Sequence, residues 1–215
     1  MSKSKKSTNK IRKYLREISV VVIGVAITLS LSYWISNNKE KKDMFLYLDA
    51  IRLELEENIK AIDQYIEDLQ GSVKYADYLQ SHDKKLLNAD TISSYAYAYG
   101  NVPVYKFKTN AFEMFKNSGF MRLMDDRRLL LTVWNAYAEL DGLRLELNEC
   151  IQVKKEEIRK EIQILAEEIP HIPMYNFYLS NIPYKMPYNC EETAKILKET
   201  LGQLEKTLNI KQKNK

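Results

Sequence analysis

The longest uninterrupted apolar stretch of the chain lies near its N-terminus, from Ile18 to Ile35. Its eighteen residues carry no charge. As a helix they would extend about 27 Å, close to the roughly 30 Å hydrocarbon core of a bilayer. This pattern predicts a transmembrane helix that anchors the chain. The predicted membrane-anchor residues are Ile18, Val22, Ile27, Leu31 and Trp34.

Two other interpretations fit the same apolar run. It could be the core helix of a soluble protein, or the apolar part of a cleaved signal peptide with Ser30 and Ser32 near the cleavage site. The run continues without a helix breaker into the helical pattern that follows it. This continuity favours an anchor that is not cleaved.

Two spacings in the first half of the chain are typical of helices that pack against another helix. Small residues recur every four positions at Gly24, Thr28 and Ser32, either by chance or because two membrane helices approach closely there. Further on, apolar residues alternate in steps of three and four, which predicts a narrow, coiled-coil-like seam within the chain or across an oligomer. The seam consists of Ile59, Ile62, Ile66, Leu69 and Val73.

The helical periodicity is lost between residues 81 and 108. A short helix is expected here with Asp90 or Thr91 as its cap. The alternating Tyr95, Tyr97 and Tyr99 predict an aromatic connector or a brief strand. Such tyrosines either cover the end of a helical bundle or line a ligand site, and we expect the covering role.

Two further helices follow this connector. Asn110 as cap, Glu113 three residues later and Gly119 as a left-handed stop frame a short helix. Asp125 or Asp126 is then expected to cap a long helix. That helix extends to residue 169, where a proline ends it.

The remaining chain completes an all-α prediction. Residues 170–189 hold four of the five prolines and are expected to form an irregular aromatic loop, after which Asn189 and Glu192 start the last helix. Only six glycines in 215 residues argue against a turn-rich β architecture. We predict one transmembrane helix, 18–35, followed by a helical domain, 37–210. That domain is built on two long antiparallel helices plus shorter helices, and residues 211–215 form a disordered basic tail.

The positive charge of the chain is concentrated before the apolar run. Seven Lys and Arg residues against one Glu give residues 1–17 a net charge of +6, so the rest of a +4 chain carries −2. Because the flank richer in positive charge stays in the cytoplasm, residues 1–17 are predicted to be a cytoplasmic tail. The protein would be a single-pass protein of the inner (cell) membrane with a periplasmic main domain. A slightly acidic domain lacks the overall basic charge that is typical of nucleic-acid-binding proteins, so no nucleic acid is expected as a partner.

Residue types that carry catalysis or bind metals are sparse. His82 and His171 stand alone, and Cys150 and Cys190 lie 40 positions apart without a CxxC pair. The two cysteines are expected as separate thiols or as a bridge. No glycine-rich phosphate loop is present in the sequence. We therefore predict no catalytic, metal-binding or cofactor-binding residue and no enzymatic activity.

Adjacent carboxylates on the long helix are the residues that most resemble an acid and base pair. Glu156 and Glu157 would point about 100° apart on a helix, so they do not converge on one substrate atom. They alternate with Lys154, Lys155 and Arg159. This pattern predicts a solvent-exposed face with salt bridges.

Two blocks of the sequence resemble a known family. The first is the basic start and Val/Ile-rich helix from Arg12 to Asn38, and the second is Ala111–Gly119 followed by Met124–Leu129. Both are similar to blocks in a family of uncharacterised small single-pass membrane proteins from Bacteroidetes-type bacteria, a domain of unknown function. Such members often have a Trp-Asn pair near the membrane exit, whereas Trp34 is followed here by Ile35. The resemblance implies an anchored helical protein and adds no catalytic residue.

These patterns predict a membrane-anchored helical scaffold or protein-interaction module. Its expected partners are the lipid bilayer and either a second copy of the chain or an unknown membrane or periplasmic protein. The alternative is an extracytoplasmic ligand-sensing helical bundle that works through a partner protein. In that case the tyrosines would enclose the ligand in a sizeable cavity. The residues concerned are Tyr95, Tyr97, Tyr99, Tyr175 and Tyr178.

Overall fold

The structure, a computed structural model, describes residues 4–164 and 172–212. Its contacts divide the chain into two compact units, Met1–Leu46 and Tyr47–Lys215. All regular elements of the described residues are helical, which confirms the predicted all-α class. The helices are α1 (Ser4–Ser81), α2 (Ala89–Ser94), α3 (Ala96–Gly100), α4 (Asn110–Ser118), α5 (Arg127–Ile164), α6 (Tyr175–Leu179) and α7 (Ile182–Gln212), with 3₁₀ turns at Lys84–Leu86 and Phe120–Leu123.

In the second unit the two long helices α1 and α5 run parallel to each other. Glu54 of α1 accepts a hydrogen bond from the Tyr137 hydroxyl of α5 at 2.6 Å. Further along both helices, Tyr75 of α1 lies in the same apolar cluster as Ile158 of α5. The contacts therefore advance in the same direction on both helices, and the predicted antiparallel arrangement of these two helices is wrong.

The antiparallel neighbour of α1 is the third long helix, α7. Near its start, Tyr184 donates a hydrogen bond to Asp77 at 2.7 Å. Towards its end, Lys198 pairs with Asp63 at 3.1 Å, fourteen residues earlier on α1. The unit is thus a bundle in which α1 and α5 point one way and α7 points the other way.

Two parallel helices require a connection that returns along their length, and residues 101–109 contribute to this return. They are not helical, so side chains of α1 bond their backbone groups. Asn58 accepts from the N–H of Lys108 at 2.8 Å and donates to its carbonyl at 2.7 Å. The Tyr65 hydroxyl lies 3.0 Å from the N–H and 3.2 Å from the carbonyl oxygen of Lys106. We refer to residues 101–109 as the crossover segment.

A side chain of α1 accepts a hydrogen bond from the backbone at the start of α4. Thr109 occupies the N-cap position and makes no side-chain capping bond. Instead the carboxylate of Glu54 accepts the N–H of Ala111 at 2.8 Å, as the positive end of a helix favours. The predicted capping pair of Asn110 and Glu113 is therefore wrong.

Two other predicted helix ends are confirmed. Gly119 follows α4 in the left-handed region at φ 74°, where a residue without a side chain is least strained. At the start of α5, Asp126 accepts the N–H groups of Arg128 and Leu129, each at 3.0 Å. The expected end of α5 at residue 169 lies outside the described residues.

The short helix expected near residue 90 is present as α2, whereas the tyrosine-rich segment expected as a connector or strand is helical from Ala96 to Gly100. Asn88 caps α2 by accepting the N–H of Asp90 at 2.8 Å and of Thr91 at 3.2 Å, so neither of the predicted caps serves that role. Tyr97 and Tyr99 lie within α3. The brief strand suggested by their alternation is therefore not formed.

The proline-rich stretch is also more regular than predicted. Residues 175–179 form α6, and α7 begins at Ile182 rather than at Asn189. Pro183 lies in the first turn of α7, where its missing N–H costs nothing, and Pro187 lies inside the helix. At the other end α7 continues to Gln212, so residues 211 and 212 of the predicted disordered tail are helical. Residues 213–215 of that prediction lie outside the described residues.

Candidate functional site

The predicted anchor is an apolar helical segment that protein does not cover. An 18-residue window of α1 near the N-terminus has a mean hydropathy of 2.1, and none of it is buried. This segment is long and apolar enough to cross a membrane. A soluble core helix would be mostly buried, so the exposure argues against that alternative. The exposed fractions of the predicted anchor residues are 59% for Ile18, 59% for Val22, 62% for Ile27, 55% for Leu31 and 62% for Trp34.

Polar side chains inside this segment bond to the helix itself. The Ser19 hydroxyl donates to the carbonyl of Leu15 at 2.7 Å, and the Thr28 hydroxyl donates to the carbonyl of Gly24 at 2.9 Å. Such bonds give each hydroxyl a partner where water is absent. These two hydroxyl groups are therefore compatible with an apolar surrounding.

The predicted seam is covered within the chain. Ile59, Ile62 and Leu69 are buried, and Ile66 and Val73 are half-buried. Of the two roles left open by the spacing, packing inside one bundle is the one this burial supports. These residues form part of the core of the second unit.

Four of the five tyrosines that were expected to cover a bundle end, or alternatively to line a ligand site, pack against the core at one end of the bundle. Tyr178 is fully buried, and its hydroxyl donates to the carbonyl of Ala98 at 2.6 Å. The Tyr75 ring meets the Tyr178 ring edge-on at 4.7 Å and the Tyr95 ring at 5.2 Å. Tyr99 and Tyr175 pack against the same cluster. This end of the bundle is therefore filled by the tyrosines themselves.

Tyr97 is the exception, since its side chain is 70% exposed. It lines a cavity of about 20 Å³ together with Tyr105, Cys150 and Lys154. That volume accommodates about one water molecule. It is far too small for the enclosed ligand that the sensing alternative requires.

Lys154 is the buried cation of this cavity. The side chain is 5% exposed, and its Nζ donates to the carbonyls of Ala98 at 2.7 Å and Asn101 at 2.5 Å. Burial lowers the pKa of Lys154 to about 8. Because Ala98 lies in α3 and Asn101 is the residue that caps its end, the bonds attach the end of that helix to α5. The prediction that Lys154 belongs to an exposed charged face is wrong.

The cysteines and histidines offer no reactive centre in the described chain. Cys150 and Cys190 are both free thiols, and burial raises the pKa of each, for Cys190 to about 12. A raised pKa keeps a thiol protonated and therefore weakly nucleophilic. His82 Nδ1 lies 2.9 Å from the carbonyl oxygen of Tyr78, whereas His171 lies outside the described residues. Over residues that the structure describes, no group of three or more His, Cys, Asp or Glu could hold a metal ion.

The helix α5 carries a second apolar stripe that the sequence analysis missed. Leu131, Trp134 and Leu145 are 62%, 45% and 53% exposed, and Ala138 between them is exposed as well. We call these four residues the outer stripe of α5. Their spacing of three, four and seven is the same signal that identified the buried face, but only the longer, buried series was recognised.

No family model matches the chain, and neither the curated proteins nor the solved structures contain a match.

Proposed function

We propose that the chain is a membrane-anchored helical protein-interaction module, or scaffold, without enzymatic activity. The observation that carries this proposal is the uncovered apolar segment of α1 around Val22 and Ile27. Water solvates such a segment poorly, whereas a bilayer solvates it on all sides. The lipid bilayer is therefore the first proposed partner. The resemblance to small single-pass membrane proteins of Bacteroidetes-type bacteria is part of the same proposal.

The proposed direction of insertion rests on charge. The tail before the apolar segment has a net charge of +6, and the remainder of the chain has −2. Positively charged flanks stay in the cytoplasm, so the second unit lies on the outer side of the inner (cell) membrane, in the periplasm of a Gram-negative cell.

The burial and exposure of side chains in the second unit support an interaction role for this unit. The tyrosine-rich end is filled, and burial disfavours the thiolate form of both cysteines. The outer stripe of α5 leaves Leu131 and Trp134 in contact with solvent. Exposed apolar side chains that share one face mark contact surfaces for other molecules.

The anchor is tested by alkaline extraction of membranes from cells that express the full chain. The wild type is expected to stay with the lipid, whereas Val22→Arg with Ile27→Arg is expected to be released. Each arginine at a helix centre costs about 2.5–3.5 kcal/mol of insertion free energy. The control, Leu86→Arg with Tyr188→Arg, adds the same charge at exposed positions of the second unit and is expected to stay with the membrane. Release of the wild type by alkali would refute the proposal.

The side of the membrane is tested by labelling with a membrane-impermeant maleimide. Val104 is 69% exposed, so Val104→Cys provides a reactive thiol in a background where the half-buried Cys150 is changed to Ala. Spheroplasts are expected to be labelled while still intact. Labelling only after lysis would place the second unit in the cytoplasm and contradict the proposed direction.

A further inference from the structure

We propose that the cavity beside Lys154 binds one small monovalent anion of the halide class, with chloride as the abundant example. The binding groups are the ammonium group of Lys154 and the hydroxyl of Tyr105, and both residues line the cavity. The site lies wholly within the second unit, so this inference does not depend on the membrane anchor.

All three long helices and the crossover segment contribute to the walls of this cavity. Ser72 of α1, Cys150 of α5 and Met186 of α7 are among the lining residues. The crossover segment contributes Pro103 and Tyr105. The volume of about 20 Å³ suits one particle of about the size of a water molecule. A ligand of several heavy atoms is therefore excluded, whereas a single ion is not.

Lys154 brings to this cavity a positive charge that no carboxylate balances. Its ammonium group has three protons, and the bonds to the carbonyls of Ala98 and Asn101 use two of them. Over residues 4–164 and 172–212 no acidic side chain forms an ion pair with Lys154, and burial is what lowers its pKa. A buried charge without a counter-charge destabilises a fold. An anion in the cavity would supply that counter-charge.

The hydroxyl of Tyr105 is a second free donor. Tyr105 is 6% exposed, and its buried hydroxyl has no hydrogen-bond partner in the part of the chain that the structure describes. Native proteins rarely leave such a group unpaired, because its lost bonds to water cost free energy. One ion that accepts from both Tyr105 and Lys154 satisfies both groups and attaches the crossover segment to α5.

An anion fits these two donors better than a water molecule does. A water molecule donates hydrogen bonds as well as accepting them, so it also needs acceptors in the cavity wall. The carbonyl of Ala98 already accepts two bonds, from Lys154 at 2.7 Å and from Tyr178 at 2.6 Å. An anion needs donors only, and it also neutralises the ammonium group.

Lys154 is the group that gives this site its pH dependence near neutrality. The other titratable groups that line the cavity or contact its walls are Asp68, Tyr97, Cys150, Tyr178 and Cys190. Asp68 and Tyr97 are exposed. Burial raises the pKa values of the two thiols and of the Tyr178 hydroxyl, so these three groups are neutral at pH 7.

The test is thermal unfolding of the full chain in detergent, followed by circular dichroism while chloride replaces gluconate at constant ionic strength. At pH 7, chloride at about 200 mM is expected to raise the Tm of the second unit by about 3 °C or more, because it binds the folded state alone. At pH 9.5 Lys154 is largely neutral, so the chloride-dependent shift is expected to fall below about 1 °C.

Two variants of neighbouring lysines separate a bound ion from a general salt effect. Lys154→Met removes the buried charge and is expected to abolish the chloride-dependent shift at pH 7. Lys155→Met removes the same charge from the next, exposed position of α5 and is expected to keep the full shift. General effects of the salt on protein surface act on both variants alike.

Tyr105→Phe tests the second donor. It keeps the aromatic ring and removes only the hydroxyl, and it is expected to reduce the chloride-dependent shift at pH 7 by at least half. A purely structural role of Tyr105 would change the Tm in chloride and in gluconate by the same amount.

Three outcomes would overturn the inference. They are no chloride-dependent shift in the wild type at pH 7, which would leave water as the occupant, an equal shift at pH 7 and pH 9.5, and an equal shift in Lys154→Met and in the wild type. If Lys154→Met does not fold, the wild-type pH comparison and Tyr105→Phe decide. None of these results bears on whether residues 18–35 cross a membrane, so the proposed function stands or fails separately.

Discussion

Two apolar parts of α1 have opposite surroundings. Residues 18–35 are apolar around the whole helix and are exposed, whereas the seam from Ile59 to Val73 is apolar along one face and is covered by its own bundle. A bundle can cover one face of a surface helix but not its whole circumference. The distribution of apolar residues around the helix, and not only their number, therefore separates a membrane segment from a bundle helix.

The largest difference between the two regions is expected when one charge is placed in each. Ile62→Arg buries an unpaired charge at a fully buried position of the seam and is expected to cost more than 4 kcal/mol of unfolding free energy. Ile27→Arg adds the same charge at an exposed position and is expected to leave the unfolding of the second unit unchanged. Thermal unfolding in detergent, followed by circular dichroism, measures both. Equal losses of unfolding free energy for the two variants would show that the two regions do not differ in their surroundings.

The next largest effect is expected at the crossover segment. Asn58→Leu removes both bonds to the backbone of Lys108, at 2.7 and 2.8 Å, and leaves a partly buried N–H and carbonyl without these partners. The expected cost is about 2–4 kcal/mol. Urea unfolding measures it, with Gln64→Leu at an exposed position of the same helix as control. A cost near that of the control would mean that the seam holds α1 in place without the crossover segment.

A smaller effect is expected from the titration of Lys154. Its pKa is about 8 in the folded chain and near 10.5 when unfolded, so burial of the ammonium group destabilises the fold at neutral pH. Between these values the folded chain binds fewer protons than the unfolded chain, so stability rises with pH. From pH 7 to 9.5 the gain is expected to be about 2 kcal/mol.

Lys154→Met removes this titration and is expected to abolish most of the pH-dependent gain. The raised pKa values of the buried Tyr75 and Tyr137 hydroxyls act with the opposite sign from about pH 9.5 upwards, and those of the Cys150 and Cys190 thiols do so from about pH 8 upwards. The measurement therefore ends at pH 9.5 and compares chains in which both cysteines are changed to Ala. Urea unfolding at each pH gives the comparison. The same slope in Lys154→Met and in the wild type would assign the pH dependence to other groups.

The smallest effect is expected at the surface pair of α1 and α7. Lys198 and Asp63 lie 3.1 Å apart with about half of each side chain exposed. Lys198→Ala is expected to cost less than 0.5 kcal/mol, roughly the contribution of an exposed ion pair. A loss above 1 kcal/mol in the same urea experiment would show that charge, rather than the apolar seam, attaches α7 to α1.

Periodicity predicted the helices better than it predicted how they are arranged. The seam and the apolar run both follow from residues close together in the sequence, and so does the left-handed end at Gly119. The direction of α5 relative to α1 does not, because an apolar stripe has the same spacing in both directions. That direction depends on the crossover segment, whose bonds to Asn58 and Tyr65 join residues about 40 to 50 positions apart.

The roles of Glu54 and Lys154 could not be predicted from the sequence either, because their partners lie far away along the chain. Glu54 caps α4 from 57 residues away, and Lys154 is buried because the end of α3 packs over it. Both lie in charged, helical sequence that is typical of a solvent-exposed face. The outer stripe of α5 was different, since its spacing was visible in the sequence and only its exposure required the structure.

The most direct test of the anchor is the intact mass of the wild-type chain recovered from alkali-washed membranes. An uncleaved anchor is expected to give a mass of about 25.3 kDa, with residues 18–35 still attached. A mass that lacks the first thirty or so residues would identify a cleaved leader and contradict the membrane anchor.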